Sequence, residues 1–170
     1  MFNSISIRSF KDNDLDEILE LFYETVHTIN SKDYSLEQVN AWAEKEPDKE
    51  KFLKLFHDHY SFIIENNEES NKILGFADMS SDGYLNCFYI HKDYQNLGLG
   101  KRLLNEIIAK AKELKLEVVT TESSISSKGF FEKLGFECVS AQTRIISSIE
   151  FINYIMKKFI GDRVSQEVEE

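Results

Sequence analysis

Only one proline, seven glycines and two cysteines occur among the 170 residues of this chain. No proline- or glycine-rich linker divides it, and no internal repeat marks an array. Cys87 and Cys138 form no C-x-x-C pair and show no metal-ligand spacing, so no metal is expected. Both lie in apolar, strand-like runs and read as buried free thiols, which fits a reducing, cytoplasmic compartment. Basic residues are also scarce: 20 Lys+Arg against 30 Asp+Glu give a formal net charge of -10. That field repels a polyanion and no basic patch offsets it, so nucleic acid is not an expected partner. One bound nucleotide, needing only a few local donors, stays compatible with the charge. The opening MFNSISIRSF lacks the charged-then-apolar pattern of a signal peptide. The most apolar late run, 145–160, is interrupted by Glu150, Asn153, Lys157 and Lys158, so no membrane span is expected.

What is present reads as one globular domain, with 42% hydrophobic and 12% aromatic residues. Ile5 and Ile7 alternate with Ser6 and Arg8 as a first strand. Asp12 or Asn13 is placed to cap a helix carrying Leu15, Ile18, Leu19, Phe22 and Val26 at helical spacing. Ser35 and Gln38 form a capping box for a helix with Val39 and Trp42 that ends before Pro47, and another helix covers 49–56. YSFIIE and KILGFADMS are strands divided by the turn NNEESN, and Asp82-Gly83 turns the chain into the nearly continuous apolar strand YLNCFYI. Such a strand is expected at the centre of a sheet, covered on both faces. From Gly98, the residues Leu99, Leu103, Leu104, Ile107, Ile108, Ala111 and Leu114 mark one face of a long helix. EVVTTE, a short helix with Phe130, Phe131 and Leu134 ended by Gly135, and a closing pair FECVSAQTRII and IEFINYIMKK complete the order. The fold class is α/β (α+β), with one strand–helix–strand crossover surrounding the glycine turn. The domain is expected over 1–160, followed by a polar, acidic and frayed tail over 161–170.

The glycine turn lies in IHKDYQNLGLGKRLL, residues 90–104. A nucleotide-binding loop of the G-x-x-x-x-G-K-[ST] type is excluded, because Gln95 stands at its first glycine and Arg102 at its hydroxyl position. A dinucleotide fingerprint is excluded by Leu103 at the third glycine. What remains is Q-x-x-G-x-G at a strand-to-helix junction. There the sequence resembles the GNAT acetyltransferase superfamily, whose acetyl-CoA motif is [QR]-x-x-G-x-[GA]. The segment Phe130-Phe131-Glu132-Lys133-Leu134-Gly135-Phe136 resembles the family's helix-to-strand FYEKLGF. The approach YLNCFYIHKDYQNLGLG is similar too, with Lys92 in place of a frequent proline. VHTINSKDYS, AWA and TTESSISSKGFFEKLGF resemble a YafP-like bacterial subgroup, and the resemblance covers roughly residues 5–158.

That resemblance implies a mixed, mostly antiparallel sheet of about seven strands flanked by helices and splayed between the fourth and fifth strands. It implies acetyl-CoA as co-substrate. Asn96, Leu97, Gly98, Leu99, Gly100 and Lys101 would donate to its pyrophosphate, following the motif's Gln95. Phe88, Tyr89 and Ile90 would offer backbone groups to the pantetheine arm, with Ser124 and Phe131 as further contacts. The physics agrees: glycine lets a diphosphate approach the backbone, and the first amides of a helix lack internal partners at the positive end of its dipole.

In the family an amine attacks the thioester directly in a ternary complex. An amine of pKa ~10.4 costs roughly 4–5 kcal/mol to deprotonate at neutral pH, so a base helps; a thiolate of pKa ~8.5 leaves more easily. Two departures bear on this. Phe131 replaces the tyrosine that often acts as acid, and Asn86 stands where subgroup relatives often carry Asp. Glu122 is therefore the first candidate base, with Tyr89 the candidate proton donor and His91 a minor one. His27, Tyr34 and Trp42 fall where the superfamily lines its acceptor pocket. The expected activity is N-acetyl transfer to a primary amine of a small molecule or peptide. The two missing proton-transfer groups motivate the alternative, a non-catalytic acyl-CoA-binding regulatory module. A strand near the C-terminus with a free edge could pair with a second copy as a homodimer.

Overall fold

A computed structural model describes residues 4–161. The tail expected over 161–170 lies, from 162 on, outside the described residues. Seven strands form one sheet in the order β1-β2-β3-β4-β5-β7-β6. In chain order they are β1 (Ile5–Ser9), β2 (Tyr60–Asn66), β3 (Lys72–Met79), β4 (Tyr84–Ile90), β5 (Val118–Ser124), β6 (Glu137–Ile146) and β7 (Ile149–Phe159). The helices are α1 (Leu15–Thr28), α2 (Leu36–Trp42), α3 (Lys49–Asp58), α4 (Leu99–Glu113) and α5 (Lys128–Lys133). All neighbours pair antiparallel except β4 and β5, which run parallel and are joined by α4. A parallel pair needs such a crossover, and this one carries the glycine turn.

Two apolar layers cover the sheet. On one face α4 and α5 bring Leu99, Leu103, Leu104, Ile107 and Phe131 against Ile64, Leu74, Leu85 and Met156. On the other, α1 to α3 bring Ile18, Phe22, Val26, Val39 and Phe56 against Ile63, Ile73, Phe76 and Phe151. β4 contributes to both layers, as its apolar run requires, with Leu85 on one side and Cys87 and Tyr89 on the other.

Local signals mostly hold, with two corrections. Ser35 and Gln38 exchange the expected pair of capping hydrogen bonds at α2. At α1 the carboxylate that closes the chain entry is Asp14, not Asp12 or Asn13. It accepts the Lys11 N–H at 2.7 Å and a two-pronged contact from Arg8 at 2.7 and 2.9 Å. Arg8 also donates to Glu65 at 2.8 Å, so one guanidinium ties β1, β2 and the entry to α1. The second correction is Cys138, which is exposed. Its strand, β6, is the outermost in the sheet, and among the described residues no apolar layer covers it.

Candidate active site

β4 and β5 pair only at Tyr84–Thr120 and Leu85–Thr121, and the Thr121 hydroxyl donates 2.9 Å to the Leu85 carbonyl at that last rung. Beyond it the strands diverge. A cavity of about 470 Å³ opens between them, floored by α4 and α5 and bordered by Thr25 and Trp42.

Strand alternation decides which β4 groups face this cleft. The His91 N–H donates 2.8 Å to the Leu74 carbonyl, so the odd-numbered residues turn their backbone groups to β3 and Phe88 and Ile90 turn theirs to the opening. The Ile90 carbonyl already accepts Gln95 Nε2 at 2.6 Å and the Thr25 hydroxyl at 3.3 Å. Gln95 thus fastens the turn to the end of β4.

The turn itself holds two left-handed residues, Asn96 (φ 59°) and Gly98 (φ 78°). The first helical hydrogen bond of α4 runs from the Arg102 N–H to the Gly98 carbonyl, at 3.2 Å. The amides of Leu99, Gly100 and Lys101 precede it, so they have no partner within the helix. Gly98 and Gly100 are glycines for different reasons. Gly98 needs its positive φ, and an added Cβ there meets nothing within 4 Å. At Gly100 a Cβ would stand 3.0 Å from the Phe130 ring, so this glycine lets α5 pack against the start of α4.

Glu122 reaches the cavity from β5. Its Oε2 forms an ion pair with Arg144, 3.2 Å from Nε, and accepts a hydrogen bond from Asn153 Nδ2 at 3.2 Å. Burial and the nearby Glu122 push the Tyr84 phenol up to about 12. On β4, Asn86 also borders the cavity, and behind it lies Asp78, 0% exposed. That carboxylate accepts His59 Nδ1 at 2.6 Å, the Cys87 N–H at 3.0 Å and Asn86 Nδ2 at 3.1 Å. A carboxylate only accepts, so it fixes the Asn86 amide with nitrogen inward and leaves Oδ1 for the cavity. Burial, then the charge of Asp78, raise the Cys87 thiol well above its usual range, which makes it a poor nucleophile.

The candidate residues distribute unevenly. Phe88, Tyr89, Ile90, Gln95, Asn96, Gly98, Leu99, Gly100, Lys101, Glu122, Ser124, Phe131 and Trp42 all border the cavity. Leu97 points to solvent, 54% exposed, and is not part of that wall. Tyr89 stacks on Phe76 and meets Phe22 edge-on; burial drives its hydroxyl far above the phenol range, beside Trp42. Tyr34 and His27 do not line the cavity. The Tyr34 hydroxyl accepts the Ile125 N–H and donates to the Ile152 carbonyl, both at 2.9 Å, locking the loop after β5 onto β7. His27 contacts the Tyr23 carbonyl at 2.8 Å and Asn40 at 3.1 Å on the outer face of α1. His91 Nδ1 accepts the Asp93 N–H at 3.1 Å. Sequence reasoning missed Arg144, Asn153, Asp78 and His59, because each meets its partner only through strand order. Thr25, at the end of an apolar helical face, was findable as a polar residue on a buried stripe.

Among the described residues, no three histidine, cysteine, aspartate or glutamate side chains are grouped to hold a metal ion. No helix of the described residues is long and apolar enough to cross a membrane.

Comparison with known proteins agrees with this architecture. The model of the acetyltransferase (GNAT) domain matches residues 30–158. The chain is 28% identical over 155 residues to the uncharacterized N-acetyltransferase YafP of Escherichia coli, covering 91% of this chain and 96% of that protein. Its fold is shared with a GCN5-related N-acetyltransferase from Rhodopseudomonas palustris, with TM-score 0.87, 23% identity and coverage of 94% and 98% of the two chains. It is shared also with the PaiA N-acetyltransferase of Thermoplasma acidophilum, solved in complex with coenzyme A, with TM-score 0.76, 21% identity and coverage of 92% and 99%. A divided sheet around a glycine turn, matched over most of its length by that domain model, places this chain in the GNAT family of acetyltransferases.

Proposed function

We propose that this acetyltransferase moves the acetyl group of acetyl-CoA to a primary amine of a small molecule or peptide, by direct attack within a ternary complex. We propose also that it works as a homodimer in the cytoplasm, where its two free thiols stay reduced. The observation carrying this reading is the cleft where β4 and β5 part, because it ends on the unpaired amides of α4. Its volume of about 470 Å³ falls within the usual range for small-molecule sites. The amides of Leu99, Gly100 and Lys101 would hold the diphosphate, and the backbone groups of Phe88 and Ile90 would align the arm as an added strand. When bound, the co-substrate supplies an activated acyl group.

Glu122 is the side chain in the wall suited to take the ammonium proton, and Arg144 and Asn153 hold it in place. The Asn86 oxygen, turned outward by Asp78, can accept an N–H of the same amine. Phe131 has no proton to give, but a thiolate of pKa ~8.5 leaves without a strong acid. Tyr89, kept protonated by its burial, can donate a hydrogen bond. Trp42 and Tyr89 give the acceptor side an aromatic wall, which with Glu122 favours a cationic amine.

The test is calorimetric titration with acetyl-CoA, then thiol release in the presence of an amine panel. Saturable binding with amine-dependent release is expected. Failure to bind at sub-millimolar concentration would overturn the reading. Binding without turnover on any amine would leave a module that only holds the coenzyme.

A further inference from the structure

We infer that β6 is the contact strand of the homodimer, pairing antiparallel with β6 of a second copy about a two-fold axis at Ala141. This rests on the proposed homodimer and gives it its interface.

The two edges of the sheet are built differently. β1 is five residues long, and Arg102 Nη2 donates 3.1 Å to its Ile5 carbonyl. β6 runs for ten residues and, among the described residues, pairs only with β7. Every residue of it is exposed except Gln142. Edge strands in monomers are usually blunted by proline, lysine, short length or a bulge. ECVSAQTRII contains neither proline nor lysine, and its one irregularity lies between Cys138 and Ser140. The edge is also apolar: Val139 is 53% exposed, Ile145 69%, and Ile152 on the adjoining β7 52%.

The strand is complementary to itself in one register. Side chains of directly opposed antiparallel residues share a face, so a two-fold axis normal to the sheet must pass through a residue position. The bulge makes Val139 and Ser140 together occupy one position, since Cys138 faces Met156 and Ser140 faces Ile155. Placing the axis at Ala141 then sets Thr143 opposite Cys138 of the partner subunit. It sets Arg144 opposite Glu137 of the partner subunit, and by symmetry the same pair recurs at the other end. The Nη groups of the guanidinium can serve this second carboxylate while Nε stays paired with Glu122 of its own chain. The smallest side chain of the strand lies on the axis, where two identical side chains must meet, and opposite charges close both ends. Cross-strand pairs of opposite charge stabilise a ladder, whereas like charges would destabilise it. The occupant that fits is therefore a second copy of this chain.

The experiment uses the full chain. Sedimentation velocity should give twice the 19.8 kDa of one chain. In a Cys138→Ser background, Ala141→Cys should form an intermolecular disulfide under mild oxidation. Opposed Cα atoms lie about 4.5–5.5 Å apart, within the span of the bond. Thr143→Cys should cross-link when Cys138 is kept and fail when it is Ser. Glu137→Arg should weaken association about tenfold or more. A monomer at every concentration tested overturns the proposal, as does one whose β6 amides are protected from hydrogen exchange by another part of the chain. A dimer in which Ala141→Cys does not cross-link overturns it equally. Acetyl-CoA titration of the same samples reports on the activity separately.

Discussion

Replacing Gly98 by alanine probes the diphosphate grip with a single methyl group. An added Cβ would meet nothing within 4 Å, so the substitution costs no steric clash. What it costs is conformational, because φ at this position is 78° with ψ at 0°. Holding an L-residue there costs about 1–2 kcal/mol. Reduced freedom of the unfolded chain returns roughly 0.4–1 kcal/mol. The net loss is about 1 kcal/mol, and for a chain of this size the melting temperature should fall about 2–4 °C. The loop can escape the strain by taking a negative φ, which turns the amides of Leu99 and Gly100 away from a common focus. Coenzyme A affinity measured by calorimetry should then fall about tenfold, equivalent to ~1.4 kcal/mol. Gly129→Ala is the matched control: open space surrounds its Cβ and no positive φ opposes it, so it should be neutral or stabilise by up to ~1 kcal/mol. Should Gly98→Ala melt no lower than the unaltered protein, the strain argument is refuted. Should it also bind coenzyme A undiminished, the α4 amides are not the grip.

Other expectations follow from the same geometry. Asp78→Ala leaves His59, Asn86 and the Cys87 amide without their buried acceptor and should cost about 3–5 kcal/mol in urea unfolding; a loss under ~1 kcal/mol would contradict the pairing described. Glu122→Gln should slow amine-dependent thiol release ~10²–10⁴-fold with acetyl-CoA binding unchanged, and full turnover would remove Glu122 as the base. Burial, and then the charge of Lys72, lower the His91 pKa below its usual 6.5. The folded state therefore prefers neutral His91: its contribution is complete above about 6.5 and is lost as pH falls through the lowered value. His91→Ala should flatten the decline in unfolding midpoint between pH about 7.5 and 5 relative to the unaltered chain, and parallel profiles would refute this.

Local signals were legible where the physics is local. The Ser35–Gln38 box, the helical spacing from Leu15 to Val26 and the glycines at 98 and 100 each act within a few residues, and all appear in the fold. Glu122 was visible as a carboxylate near the end of a strand. Its restraint by Arg144 was not, because β6 approaches it only once the sheet order is known. The same holds for Asp78 and His59, which meet at the mouth of a different hairpin. Cys138 misled for a related reason: an apolar run looks the same in sequence whether its strand is central or outermost.

The sheet keeps the two apolar layers on separate sides, so they answer to different tasks. The layer under α4 and α5 supports the glycine turn, while the layer under α1 to α3 carries the aromatic rim around Trp42. Drift in the second can reshape what enters the cleft without disturbing the first. A library of variants restricted to α1 and α2 should therefore change which acceptors are taken while the shared carrier is still recognised.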